Sequence, residues 1–155
     1  MDLYPENKSN RHPETTQLGE RGEAAAAEYL ESQGYRIVLC NFTAPIGRSR
    51  SGAVVKGEID IVALDGETLC FIEVKTRSTD DFADPLVNVD RRKQAVIRRT
   101  ARIYRRLFGL KNMPFRFDVI TVVGRETKER KLRHFKNFWR ERRRYLGNAD
   151  GLDPF

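Results

Sequence analysis

Asp60, Glu73 and Lys75 stand in the middle of two otherwise apolar runs within residues 57–76, GEIDIVALDGETLCFIEVKT. Ionised groups are costly to take out of water unless they pair with one another or coordinate a metal, so charges at strand centres ask for a reason. Two carboxylates can share one divalent cation, and a lysine on the same face would lie beside it. That chemistry requires the three side chains to meet.

Whether they meet depends on the turn between the runs. Asp65-Gly66 is the strongest short hairpin signal, since both central residues of a type I′ turn need positive φ. With these two residues as the whole loop, Leu64 pairs with Glu67, Glu58 with Glu73 and Asp60 with Phe71. Alternation then puts Glu58, Asp60, Val62 and Leu64 on one face with Leu69, Phe71, Glu73 and Lys75. Asp60 becomes a diagonal neighbour of Glu73, with Cβ atoms roughly 7–8 Å apart, close enough for one ion to bridge. A three-residue loop would send Asp60 to the opposite face.

The rest of the chain must support this hairpin. At 155 residues and 39% hydrophobic content the chain can fill one core. Residues 1–15 are polar with Pro5 and Pro13, and read as a disordered leader; residues 16–146 read as the domain and 147–155 as a disordered tail. A helix starts near Thr16, with Leu18, Gly22, Ala25, Ala26, Tyr29 and Leu30 on one stripe and Gly34 as its terminator. Glu23 lies at the edge of that stripe, the helix carboxylate best placed to lean over a sheet; by itself it reads sooner as an ordinary boundary glutamate. Residues 35–42 form a first strand, and residues 43–56 a flexible basic loop with Arg48 and Arg50. Residues 77–89 read as a surface connection.

A second helix runs from an Asp90 N-cap to about Phe108, closed by Gly109, with Val96, Ile97, Thr100, Ala101, Tyr104, Leu107 and Phe108 on its apolar side. Arg98, Arg102 and further arginines occupy the other side with little glutamate to neutralise them, while Lys93 projects toward the sheet. Residues 115–123 and 131–138 are two more strands. Between residues 125 and 144 basic residues interleave with Phe135, Phe138 and Trp139, suiting either base stacking or packing. The net charge of +7 and pI near 9.7 favour an anionic partner, nucleic acid before an acidic membrane surface, with plain solubility as the alternative. No apolar run reaches 18 residues and no signal peptide is visible, so a cytoplasmic protein that does not span a membrane is expected. Cys40 and Cys70 read as reduced core residues, and neither His12 nor His134 suggests a histidine-based catalyst.

Gly22-Glu23, Gly57-Glu58-Ile59-Asp60, the run Phe71-Ile72-Glu73-Val74-Lys75-Thr76-Arg77, Lys93 and Arg116-Phe117-Asp118 follow one another in an order that resembles the YraN-like family. That family of uncharacterised bacterial proteins belongs to the PD-(D/E)XK endonuclease-like superfamily and is similar to Holliday junction resolvases. The resemblance covers roughly Leu18 to Phe138. It implies an α/β fold, a mixed sheet of about four to five strands flanked by helices, with a restriction-endonuclease-like αβββαβ core. It also implies Asp60, Glu73 and the Val74 carbonyl as ligands of Mg²⁺ or Mn²⁺, Lys75 beside the attacking water, and Glu23 as the first-helix acid. Two departures stand out: residues 41–57 make a longer loop than the family suggests, and Ile59 replaces a proline.

Such a constellation would hydrolyse phosphodiesters in structured DNA, the metal activating water while Lys75 stabilises charge. Lys93, Arg98, Arg102, Arg48 and Arg50 are the candidate nucleic-acid contacts. A non-catalytic nucleic-acid binding protein with a Glu73–Lys75 ion pair is the alternative, and whether two chains form a homodimer is left open.

Overall fold

The computed structural model describes residues 13–77, 89–124 and 130–141. The leader up to residue 12, the connection at 78–88, the basic residues at 125–129 and 142–144, and the tail at 147–155 lie outside the described residues.

The elements run α1 (Pro13–Ser32), β1 (Arg36–Arg48), β2 (Val54–Asp65), β3 (Thr68–Arg77), α2 (Arg91–Leu107), β4 (Phe115–Val123) and β5 (Lys131–Trp139). They build a five-stranded mixed sheet in the order β1-β2-β3-β4-β5, antiparallel except for the parallel pair β3/β4, which α2 connects. This is the α/β architecture expected, consistent with a restriction-endonuclease-like fold. Helix α1 begins three residues before the expected Thr16. The Asp90 carboxylate caps α2 by accepting the Lys93 amide at 2.8 Å. At the other end Gly109, with φ +67°, lets the Leu110 amide reach the Arg105 carbonyl at 2.8 Å.

Each helix covers one face of the sheet. Ala26 and Leu30 of α1 bury against Ile61, Ala63, Cys70, Ile72, Ile120 and Val122. On the other face Ile97, Ala101 and Tyr104 of α2 bury against Ile59, Val62, Leu69, Phe71, Phe117 and Val119. Burying such side chains contributes roughly 1.5–3 kcal/mol each, so the two helices clamp the centre of the sheet.

Several expectations need correction. The hairpin loop is Gly66-Glu67, with Asp65 paired to Thr68 and Leu64 to Leu69. Gly66 carries the positive φ, +58°, at the first loop position, where a II′ turn places glycine. The loop still has two residues, so the register moves by two and the face assignments around Val62, Leu64, Leu69 and Phe71 survive. Residues 43–56 are not a loop. They complete β1 and begin β2, pairing from Thr43↔Glu58 to Arg48↔Val54, and only residues 49–53 turn. Glycine, serine and proline disguised these strands because the ribbon is solvated, with Pro45 beside a β-bulge where its missing N–H is harmless. Leu107 and Phe108 do not join the apolar face of α2; they are 66% and 56% exposed where the helix runs past the sheet. Cys40 is exposed on the edge strand, while Cys70 is buried and its thiol is pushed up to about 12, chiefly by that burial. Phe135, Phe138 and Trp139 pack against the α2-side core, Trp139 stacking on Phe117 at 5.2 Å, so packing accounts for them.

Candidate metal and nucleic-acid site

Strands β2 and β3 separate beyond Ile61↔Ile72, and the opening holds the site. Continuing the ladder one step would set Asp60 opposite Glu73. Instead the Asp60 Oδ2 atom accepts the Val74 amide at 2.7 Å, so a side chain replaces a strand carbonyl as that amide's partner. The other ladder of β2 is interrupted at the same point: Cys40 pairs with Ile61 and Phe42 with Ile59, and Asn41 between them has φ +54°. The two sides of β2 exchange here. Ile59 belongs to the core under α2 and Ile61 to the core under α1, although residues two apart in a regular strand share a face. Asp60 sits at the cross-over, and asparagine is one of the few non-glycine residues that tolerates the left-handed backbone opposite it.

A pocket of about 310 Å³ opens at this point, and Glu23, Glu58, Asp60, Glu73, Lys75 and Lys93 contribute its charged lining. Helix α1 delivers Glu23 because Gly22 packs directly on Thr76 of β3: a Cβ at Gly22 would collide with Thr76 Oγ1. Helix α2 delivers Lys93 from its first turn. Gly57 serves that helix in the same way, since a Cβ there would meet Thr100 Oγ1. The structure thus brings Glu23, Asp60, Glu73, Val74, Lys75 and Lys93 together, from two strands and both helices.

Glu73 is 4% exposed and its two oxygens have different surroundings. Oε1 faces Lys75 Nζ at 3.3 Å and Lys93 Nζ at 3.5 Å. Among the described residues Oε2 is buried with no hydrogen-bond partner. Burial, and then the Glu73 charge, push the Asp60 carboxyl up to about 8, while the Val74 amide pulls the other way. Burial also raises Glu23, against a hydrogen bond from the Asn41 side chain, with Glu58 adding to the rise.

Among the described residues no three histidine, cysteine or carboxylate side chains stand ready as a metal cage. The donors that fit a cation are fewer and mixed: the unpartnered Glu73 Oε2, the Asp60 carboxylate and the neighbouring Val74 carbonyl. Oxygen donors of this kind suit Mg²⁺, which keeps several waters and takes few protein ligands. A cation would satisfy the orphaned oxygen and relieve the repulsion between two close carboxylates.

The remaining basic candidates lie elsewhere. Arg98 is half-buried on α2. Arg102 Nη2 meets Glu141 Oε1 at 3.2 Å and Arg105 meets Oε2 at 3.8 Å, so a glutamate from beyond β5 partly neutralises a face that looked unopposed in sequence. Arg48 and Arg50 stand at the exposed tip of the β1/β2 ribbon. Sequence reasoning set Glu58 on the face of Asp60 without giving it a role, and passed over Asn41. The placement of Glu58 two residues before Asp60 was a usable signal, whereas nothing local marks Asn41 as the partner of a helix carboxylate.

Residues 22–122 match the family described as Uncharacterised protein family UPF0102. The chain belongs to this family. It is the YraN family that the hairpin motifs resemble, and its matched segment runs from the Gly22 helix contact through β4. A UPF0102 protein of Prosthecochloris aestuarii is 41% identical over 118 residues, covering 76% of this chain and 85% of the relative. One from Moorella thermoacetica is 45% identical over 104 residues, covering 67% and 78%. A UPF0102 protein of Chlorobium limicola is 39% identical over 130 residues, covering 80% and 93%. A solved structure titled "Crystal structure of SSO0001" aligns at TM-score 0.36 and 16% identity over 81% of this chain and 52% of its own, too remote a likeness to bear on function.

Proposed function

We propose that this pocket is the active site of a metal-dependent nuclease that hydrolyses phosphodiesters in structured DNA with Mg²⁺ or Mn²⁺. The observation that carries the reading is the buried, unpartnered Glu73 Oε2 beside Asp60, in a hollow that also contains two lysines. Asp60, Glu73 and the Val74 carbonyl would hold the cation. Bound there, it would lower the pKa of a water and offset charge gathering on phosphorus. Lys75 and Lys93 share one carboxylate oxygen and remain more than a third exposed, so each retains N–H donors for an anionic phosphate. Glu23 faces the same hollow from α1. The Val74 amide fixes Asp60, and the Asn41 side chain fixes Glu23.

The test is cleavage of branched and flapped DNA with Mg²⁺ or Mn²⁺. Wild type should cut and Glu73→Ala should not; the same background from both overturns the enzyme reading. Calorimetric titration with Mn²⁺ should give binding that weakens at least tenfold, about 1.4 kcal/mol, in Asp60→Asn.

One observation favours a second reading, a nucleic-acid binding protein without turnover: Lys75 and Lys93 already compensate Glu73. It predicts DNA binding without Mn²⁺ binding.

A further inference from the structure

Beyond the sheet, β1 and β2 continue as a two-stranded ribbon. The β2/β3 ladder ends at Ile61↔Ile72, while β1 and β2 stay paired out to Arg48↔Val54. The root of the ribbon is packed: Ala44 and Ile59 are buried, and Gly57 lies under Thr100 of α2. Toward its end the ribbon becomes solvent-exposed, with residues 47–56 all exposed. The tip is nevertheless built. The Ser49 amide donates to the Ala53 carbonyl at 2.8 Å, the Gly52 amide to the Ser49 carbonyl at 2.9 Å, and Arg48 Nη1 to the Gly52 carbonyl at 2.9 Å.

Charge selects the occupant. Residues 36–57 contain Arg36, Arg48, Arg50 and Lys56 and not one aspartate or glutamate. A second copy of the same ribbon would bring like charges together, whereas a polyanion is complementary. Shape narrows the choice further. The major groove of B-DNA is about 12 Å wide and admits a two-stranded ribbon, while that of an A-form RNA duplex is too narrow for side chains to read.

We propose that the β1/β2 ribbon is a groove-binding arm for double-stranded DNA. It enters the major groove on one side of the pocket, with Arg48 and Arg50 on the flanking phosphates. From Val54 to Asp60 the strand spans roughly 20 Å at about 3.3 Å per residue. At about 3.4 Å per base pair the arm reaches no further than about six base pairs from the reacting phosphate. The inference rests on the nucleic-acid reading of the site and does not need the site to cleave.

Anisotropy in EDTA with a labelled 20-base-pair DNA duplex, the matching single strand and an RNA duplex of the same sequence tests it on the full chain. Arg48→Ala with Arg50→Ala should weaken DNA-duplex binding about tenfold at moderate salt and reduce the log–log salt slope by roughly two, with little change on the single strand. Arg48→Lys with Arg50→Lys should restore most of the slope, and an unchanged melting curve shows that the domain still folds. Unchanged duplex binding, an equal loss on the single strand or RNA duplex, or no binding by wild type overturns the proposal. So does a dimer that dissociates in the alanine variant while duplex binding is retained, since that assigns the ribbon to a second copy. The Mn²⁺ titration is separate: a protein that binds duplex through the arm but takes up no Mn²⁺ keeps this inference and loses the nuclease reading.

Discussion

The Asp60 carboxylate accepts the Val74 amide at 2.7 Å, so the first acid of the pocket is tied to the backbone between Glu73 and Lys75. The bond joins two strands whose regular pairing has just ended. It places Asp60 within range of Glu73 while leaving its second oxygen free of that contact. Asp118 does the same at a bulge between β4 and β5, where it accepts the Asn137 amide at 2.8 Å. In both places an aspartate fills a gap in a ladder, but Asp118 accepts from Arg116 and His134 as well, whereas the lysines near Asp60 pair with Glu73.

The first prediction concerns Asp60 and pH. Its folded value, about 8, lies above the roughly 3.9 of an unfolded chain, so the protonated carboxyl favours the folded state. Without metal, that stabilisation is fully present below the unfolded value and disappears as pH rises through about 8. Asp60→Asn keeps an oxygen for the Val74 amide and removes the charge. At pH 8.5 it should be more stable than wild type by on the order of 1–3 kcal/mol, with a flatter pH dependence. Urea melts at pH 6 and 8.5 in EDTA measure this; the same pH slope in both proteins would refute it.

The second concerns the seat of α1. Gly22→Ala drives a methyl group into the Thr76 side chain, Oγ1 first and then Cβ and Cγ2, and because Cβ is fixed to the strand a turn of the threonine alone does not clear it. The cost should be about 1–3 kcal/mol, the range for overpacked sites. Gly22→Ala combined with Thr76→Ala should recover a good part of it, and a double-mutant cycle by chemical denaturation reads the coupling. Additive losses would show that the contact does not set the helix position.

The third concerns Asp118, which is fully buried. Burial alone would raise its carboxyl, but hydrogen bonds from His134 and Arg116 and the Asn137 amide outweigh that and hold it below the usual range. Its contribution is therefore present above the unfolded value near 3.9 and is lost as pH falls through the lower folded value. Asp118→Asn should cost about 1–3 kcal/mol at neutral pH, since Arg116 loses one carboxylate partner at 3.0 Å and keeps the other, Asp65, also at 3.0 Å. Acid titration followed by circular dichroism should show a shallower loss of structure below pH 4 than in wild type. A variant as stable as wild type at pH 7 would remove Asp118 from the fold's support.

Apolar stripes and cap residues located the two helices, and runs of β-branched and aromatic residues located β4 and nearly all of β5. The even-numbered loop was legible too, and it kept the hairpin faces in order even though the turn lies one residue later than Asp65-Gly66 suggests. Residues 43–56 were harder to read. A ribbon solvated along both faces has no buried stripe to mark it, and its glycine, serine and proline imitate a loop.

The types of group in the pocket were written in the linear order of residues: two acids and a lysine inside apolar runs, a glutamate beside a helix glycine, a lysine in the first turn of the next helix. Their convergence was not. It depends on β2 turning over at Asp60, on the left-handed backbone of Asn41 beside it, and on two helices seated against Thr76 and Gly57. Those contacts join residues distant along the chain, and sequence spacing carries no distance between them. The unequal surroundings of the two Glu73 oxygens arise only when both lysines arrive on the same side.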